Sequence, residues 1–68
     1  MKQKIFRKLL DELLAAKTEE EITAVLYRST GYFKDDGVDL AFQHELITWE
    51  DHERLFTLAA RLSASLKA

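Results

Sequence analysis

Cysteine and proline are absent from this sequence, and only two glycines, Gly31 and Gly37, interrupt it. Without cysteine there is no disulfide, and the common zinc-ligand sets built on thiolates are excluded with it. Without proline nothing forces a break, so long helices joined by short turns are the expected architecture. No apolar run approaches the roughly 20 residues that a membrane span needs. The basic start also lacks the continuous apolar stretch and small-residue cleavage site of a secretory signal, so a cytoplasmic location is expected. Motifs of catalysis are missing too. There is no Gly-x-Ser-x-Gly elbow, no glycine-rich phosphate loop and no cysteine nucleophile.

What remains is a chain of 68 residues, 47% of them hydrophobic. A single domain, 1–68, is expected, and a domain this small buries only about 60% of the surface its unfolded chain exposes. Regular helix packing or self-association must then supply what disulfides and metals do not. The net charge of −2 conceals an uneven distribution. Residues 1–17 carry Lys2, Lys4, Arg7, Lys8 and Lys17 against two acids, and residues 54–68 carry three cations and no acid. The middle, 18–53, holds ten acids against Arg28 and Lys34. Solvated helix faces account for such runs in most proteins. Complementarity between two copies, or an acidic face offered to a basic partner, is the sharper alternative.

The best-specified helix runs from Trp49 towards Leu66. Leu55, Leu58, Ala59, Leu62 and Leu66 recur at helical spacing, and Thr48 stands ahead of Glu50 and Asp51 as an N-cap with acids at the positive end of the dipole. Near the amino end, Ile5, Phe6, Leu9, Leu10, Leu13 and Leu14 form a wide apolar stripe from Gln3 to Ala16. Thr18-Glu19-Glu20-Glu21 is a capping box, in which Glu21 is expected to reach back to the amide of Thr18. The second helix it starts has Ile22, Val25 and Leu26 inward and Tyr27 at the edge, and should close between Ser29 and Gly31. Asp35 or Asp36 should cap a short third helix across Val38, Leu40, Ala41 and Phe42, reaching Leu46 at its longest. The alternative is that the second and third helices run together through Tyr32. Thr18 to Ser29 and Thr48 to Ala59 share the order threonine, acids, apolar pair, which capping rules alone would produce. The fold expected is all-α, a small bundle of three to four helices with the first and last as the long pair.

Candidate functional residues are few. Trp49, Phe56, Tyr32, Phe33 and Leu66 are the candidate partner-binding side chains, because large aromatic and apolar groups dominate interfaces. For three of them the structural role is expected first: Trp49 as a lid on the core, and Tyr32 and Phe33 as anchors pinning the connection between helices. Lys2, Lys4, Arg7 and Lys8 form the only concentrated basic group, a possible anion contact. The acidic middle would repel a phosphate backbone, and a recognition helix opening Trp-Glu-Asp-His-Glu would carry acids into the groove. His44-Glu45 has half of a zinc-protease motif, but His52 falls at the wrong spacing for the second ligand. The paired acids lie where helices should begin, and the dipole explains them. No metal, cofactor or small-molecule substrate is expected, and no enzymatic activity. The expectation is a regulatory or accessory protein that binds another protein or itself, with a homodimer involving the last helix as its specific form. The alternative is a nucleic-acid-associated modulator acting through the basic amino end or through a DNA-bound partner.

Phe6-Arg7-Lys8-Leu9-Leu10, the capped helix with Ile22 and Leu26, and Ile47-Thr48, Glu53, Leu55-Phe56 and Ala59-Ala60-Arg61-Leu62 together resemble the Hha-like family of small helical regulators. The resemblance covers about three quarters of the chain and includes a gap. It implies a helical protein that acts by binding a nucleoid-structuring protein. An acid and a histidine between the alanine pair and the arginine are missing here, as is the family's aromatic carboxyl tail, so no partner-binding residue carries over. Size and lack of punctuation are also similar to small accessory proteins of temperate bacteriophages.

Overall fold

The computed structural model describes residues 2–67, apart from the side chains of Lys2, Gln3 and Lys34. Four α-helices follow one another: α1 Lys2–Ala15, α2 Glu19–Tyr27, α3 Val38–Gln43 and α4 Trp49–Lys67, with a 3-10 turn at Phe33–Asp35 before α3. No strand occurs among the described residues. α4, the longest helix, packs against each of the other three. The all-α bundle with a long first and last helix is therefore the architecture of this chain.

Local chemistry explains the starts. Thr18 Oγ1 accepts from the Glu21 amide at 3.1 Å, and the Glu21 carboxylate accepts from the Lys17 amide at 3.4 Å rather than from Thr18 as expected. Thr48 makes the fuller box: the Asp51 amide donates to Thr48 Oγ1 at 3.1 Å, and the Thr48 amide donates to Asp51 Oδ2 at 3.4 Å. Both boxes satisfy amides that the first helical turn leaves without partners.

The core is one cluster: Leu9 and Leu13 from α1, Ile22, Val25 and Leu26 from α2, Val38 and Ala41 from α3, Ile47, and Leu55 and Ala59 from α4. Of these, Leu9, Leu13, Leu55 and Val38 are fully buried, each stabilising by about 1.5–3 kcal/mol relative to exposure. The stripe of α1 is narrower than its composition. Leu9 and Leu13 fill the interior while the adjacent Leu14 is 59% exposed.

Three expectations for the middle of the chain need correction. α2 closes at Tyr27, with the Arg28 amide bonded back to the Ala24 carbonyl, so Gly31 does not end the helix. Gly31 does take the left-handed conformation at φ +82°, but inside the following loop. Neither Asp35 nor Asp36 caps α3. Gly37 precedes it without a side-chain cap, and the Gly37 amide bonds the Arg28 carbonyl at 2.8 Å, closing a loop whose two ends meet. That closure also separates α2 from α3, as expected, whereas α3 itself stops at Gln43, short of Leu46. Asp36 turns inward instead and ties the loop across, accepting from the Thr30 amide at 2.7 Å and the Thr30 hydroxyl at 3.0 Å. These bonds, the amide first, hold the buried Asp36 carboxyl below the usual aspartate range, against the opposing effect of desolvation. Arg28 braces the same loop by donating from Nε to the Asp35 carbonyl at 2.7 Å.

Candidate functional site

A run of stacked rings crosses the face formed by α3, the start of α4 and the end of α2. Trp49, His52 and Phe56 sit three, four and seven residues apart on α4, so their side chains share one flank of the helix. Trp49 and His52 stack with centroids 5.3 Å apart and planes 18° from parallel. His52 meets Phe56 at 4.5 Å. Phe42, from α3, closes on both His52 at 4.7 Å and Trp49 at 5.6 Å. Tyr27, the last residue of α2, extends the run through an edge-on contact with Phe56 at 5.8 Å. His52 is the hub. Three rings surround its imidazole, and its buried Nδ1 has no hydrogen-bond partner among the described residues.

The hub is half-covered, but the ends of the run stand open. Trp49 is 58% exposed and Tyr27 is 55% exposed. A lid on the core would be mostly covered, so Trp49 leans on two rings and presents the rest of its indole to solvent. Beyond Phe56 the run continues into a shallow groove of about 200 Å³ between α2 and α4, floored by Ile22, Leu26 and Ala59. At the far end of that groove Ser63 donates to Glu19 at 2.6 Å and Lys67 pairs with Glu19 at 3.4 Å, together holding the Glu19 carboxyl below its ordinary range, Ser63 foremost.

The five candidate partner-binding side chains fall in three places. Trp49 and Phe56 belong to the ring run. Tyr32 and Phe33 stand at the tip of the Arg28 to Gly37 loop, both more than half exposed, so they do not anchor it to the core. Phe33 packs against His44 at 4.1 Å, and no ring contact joins the pair to Trp49 or Phe56 among the described residues. Leu66 lies near the other end of α4, beside Lys17, Thr18, Glu19 and Glu20. Tyr27, Phe42 and His52 are the members sequence reasoning did not assign. The spacing of Trp49, His52 and Phe56 was a usable signal, whereas Tyr27 and Phe42 arrive only through tertiary packing.

The basic group at the amino end is dispersed. Lys8 pairs with Asp35, and Arg7 lies 3.5 Å from Asp11 on an exposed surface. Lys4 is exposed, and the side chain of Lys2 is outside the described residues. Arg7 and Arg54 line a shared cleft between α1 and α4 with Phe6 and Asp51. The two histidines sit in different surroundings, His44 against Phe33 and His52 within the ring run. No helix among the described residues is long and apolar enough to cross a membrane.

No family model matches this chain, and neither a curated protein nor a solved structure matches it.

Proposed function

We propose that this chain is a non-enzymatic docking module, a small regulatory or accessory protein whose contact surface is the ring run from Tyr27 to Trp49. The observation that carries the reading is the exposure of Trp49 at one end of a preorganised aromatic surface. Aromatic side chains fixed by their neighbours lose little conformational freedom on binding, and they supply large contact areas, which is why such groups dominate binding hot spots. The resemblance to Hha-like regulators and to phage accessory proteins agrees with this class of function. The occupant is another protein or a second copy of the chain.

Affinity capture from native cells with the wild type and with Trp49→Ala tests the reading, alongside sedimentation over a wide concentration range. Trp49 contributes nothing to the fully buried core, so the variant should keep its helical circular dichroism. Proteins retained by the wild type and lost by the variant, or a dimer that the variant abolishes, support docking through this face. Identical capture and a concentration-independent monomer for both would sink it.

A second reading rests on the cleft that Arg7 and Arg54 share, with Lys4 exposed nearby on α1. Two guanidinium groups brought together from separate helices suit a phosphate backbone, although Asp11 and Asp51 stand among them. A gel shift at low salt that weakens as salt rises would favour this modulator role, and Arg54→Gln should reduce it.

A further inference from the structure

The charges around the ring run define what it can hold. Glu53 lies one helical turn from both Trp49 and Phe56, and Glu50 stands one turn before Glu53 on the same outer flank. Glu45 lies beyond α3, with His44 between, in the short connection that joins Phe42 to Trp49. All three carboxylates are exposed, and none takes part in an ion pair among the described residues. The nearest cation in sequence, Arg54, stands one turn beyond Glu50 on α4 without an ion pair to it among the described residues, and lines the cleft between α1 and α4 with Phe6 and Arg7. The aromatic surface is therefore open and edged by unneutralised negative charge. A second copy docked face to face about a two-fold axis would bring the same acids against one another, which works against self-association through this surface.

We infer that the occupant is a basic amphipathic segment of another protein, whose arginine or lysine lies on the exposed Trp49 ring between the carboxylates of Glu45, Glu50 and Glu53 while its apolar side follows Phe56 into the groove. This rests on the docking reading above and names the partner's chemistry. Each part of the surface has a matching part in such a segment. The indole face attracts a cation through its quadrupole, and the flanking carboxylates pair with the same guanidinium. The stretch of α4 from Trp49 to Ser63 spans about 21 Å at 1.5 Å per residue, so an occupying helix of some fourteen residues fits its length. The groove floor of Ile22, Leu26 and Ala59 takes the apolar side chains of that helix.

Three synthetic sixteen-residue peptides with the same leucine and alanine face test this, their polar positions filled by arginine and lysine, by glutamine, or by glutamate. Binding is read by the anisotropy of the labelled peptide and by the emission of Trp49, the only tryptophan in the chain. The basic peptide should bind saturably about tenfold tighter than the glutamine peptide, shift Trp49 emission and weaken as salt rises. The triple variant E45Q/E50Q/E53Q and, separately, Trp49→Leu should each remove most of that preference, with circular dichroism showing both folded. Equal binding of the basic and glutamine peptides, basic binding unchanged in either variant, or binding without a change in Trp49 emission overturns the inference. If the glutamine peptide binds best, or if the chain dimerises through this face, docking stands and the basic partner falls. If no peptide binds and the chain stays monomeric with unprotected Trp49, both fall.

Discussion

Arg28 grips Glu12 with both arms of its guanidinium, Nη1 to Oε1 at 3.2 Å and Nη2 to Oε2 at 2.7 Å. One side chain at the end of α2 thereby fastens α1 to the loop, since its Nε already holds the Asp35 carbonyl. The two side chains are 25% and 32% exposed, so solvent screening tempers the pair without dissolving it. Arg28→Ala also removes the bond to the loop carbonyl and should cost about 2 kcal/mol. Glu12→Gln should cost less. A double-mutant cycle by urea denaturation should give a coupling of about 1 kcal/mol between them, and a coupling within error of zero would show that the pair adds nothing.

Gly37 is held tightly by backbone, whereas Gly31 is held only by conformation. A Cβ on Gly37 would lie 2.7 Å from both the Arg28 nitrogen and the Val25 carbonyl oxygen, and 2.8 Å from that of Leu26. These are main-chain atoms of the closing turn of α2 and cannot swing aside. Gly31 has open space around it but a φ of +82°. Gly37→Ala should therefore destabilise by about 3 kcal/mol and Gly31→Ala by about 1 kcal/mol, while Gly31→Asn should be nearly neutral. Denaturation midpoints in the reverse order would contradict the close approach.

Glu45 occupies a position that suits glycine better. Its φ is +60°, and the carbonyls at the end of α3 are satisfied around it: the Glu45 amide bonds Phe42 at 3.0 Å and the Leu46 amide bonds Ala41 at 2.8 Å. This is a Schellman closure with glutamate at the left-handed position. Glu45→Gly should therefore stabilise the fold by about 0.5–1 kcal/mol, the relief of backbone strain exceeding glycine's entropic cost. The same variant should bind a basic peptide more weakly than the wild type. A destabilised variant would mean that the glutamate side chain makes a stabilising contribution larger than the strain.

Local signals were readable in the sequence and three-dimensional ones were not. The threonines at 18 and 48 announce their helices because a capping box needs only neighbours within four residues. The choice between Leu13 and Leu14 has no such local answer. Both fit the stripe of α1, and only the direction from which α2 and α4 approach makes Leu13 interior and leaves Leu14 outside. Asp36 looked like a cap because aspartate before a short helix usually is one, yet Thr30 across the loop offered it two donors. The site divides in the same way. Trp49, His52 and Phe56 share a helix face that spacing reveals, but Phe42 and Tyr27 join them only after the chain has turned twice.

The Asp36 to Thr30 tie makes stability depend on acid. Its carboxyl titrates below the ordinary aspartate value in the folded protein, because the Thr30 amide and hydroxyl donate to the charged form. The folded state therefore binds that proton less readily than the unfolded chain does. The stabilisation is fully present above the unfolded value, about 3.9, and is lost as the pH falls through that value and on through the lower folded one. Protonated Asp36 would be left buried with one acceptor fewer at the base of a loop that carries Tyr32 and Phe33. Denaturation midpoints measured from neutral pH down to about 2.5 should fall more steeply in the wild type than in Asp36→Asn, which starts less stable but has no carboxyl to protonate. Thr30→Val should start lower and flatten the wild-type slope in the same window, since it removes the hydroxyl donor while keeping the carboxyl. Parallel pH profiles for the wild type and both variants would mean that acid sensitivity resides in other carboxylates, Glu19 beside Ser63 and Lys67 first among them.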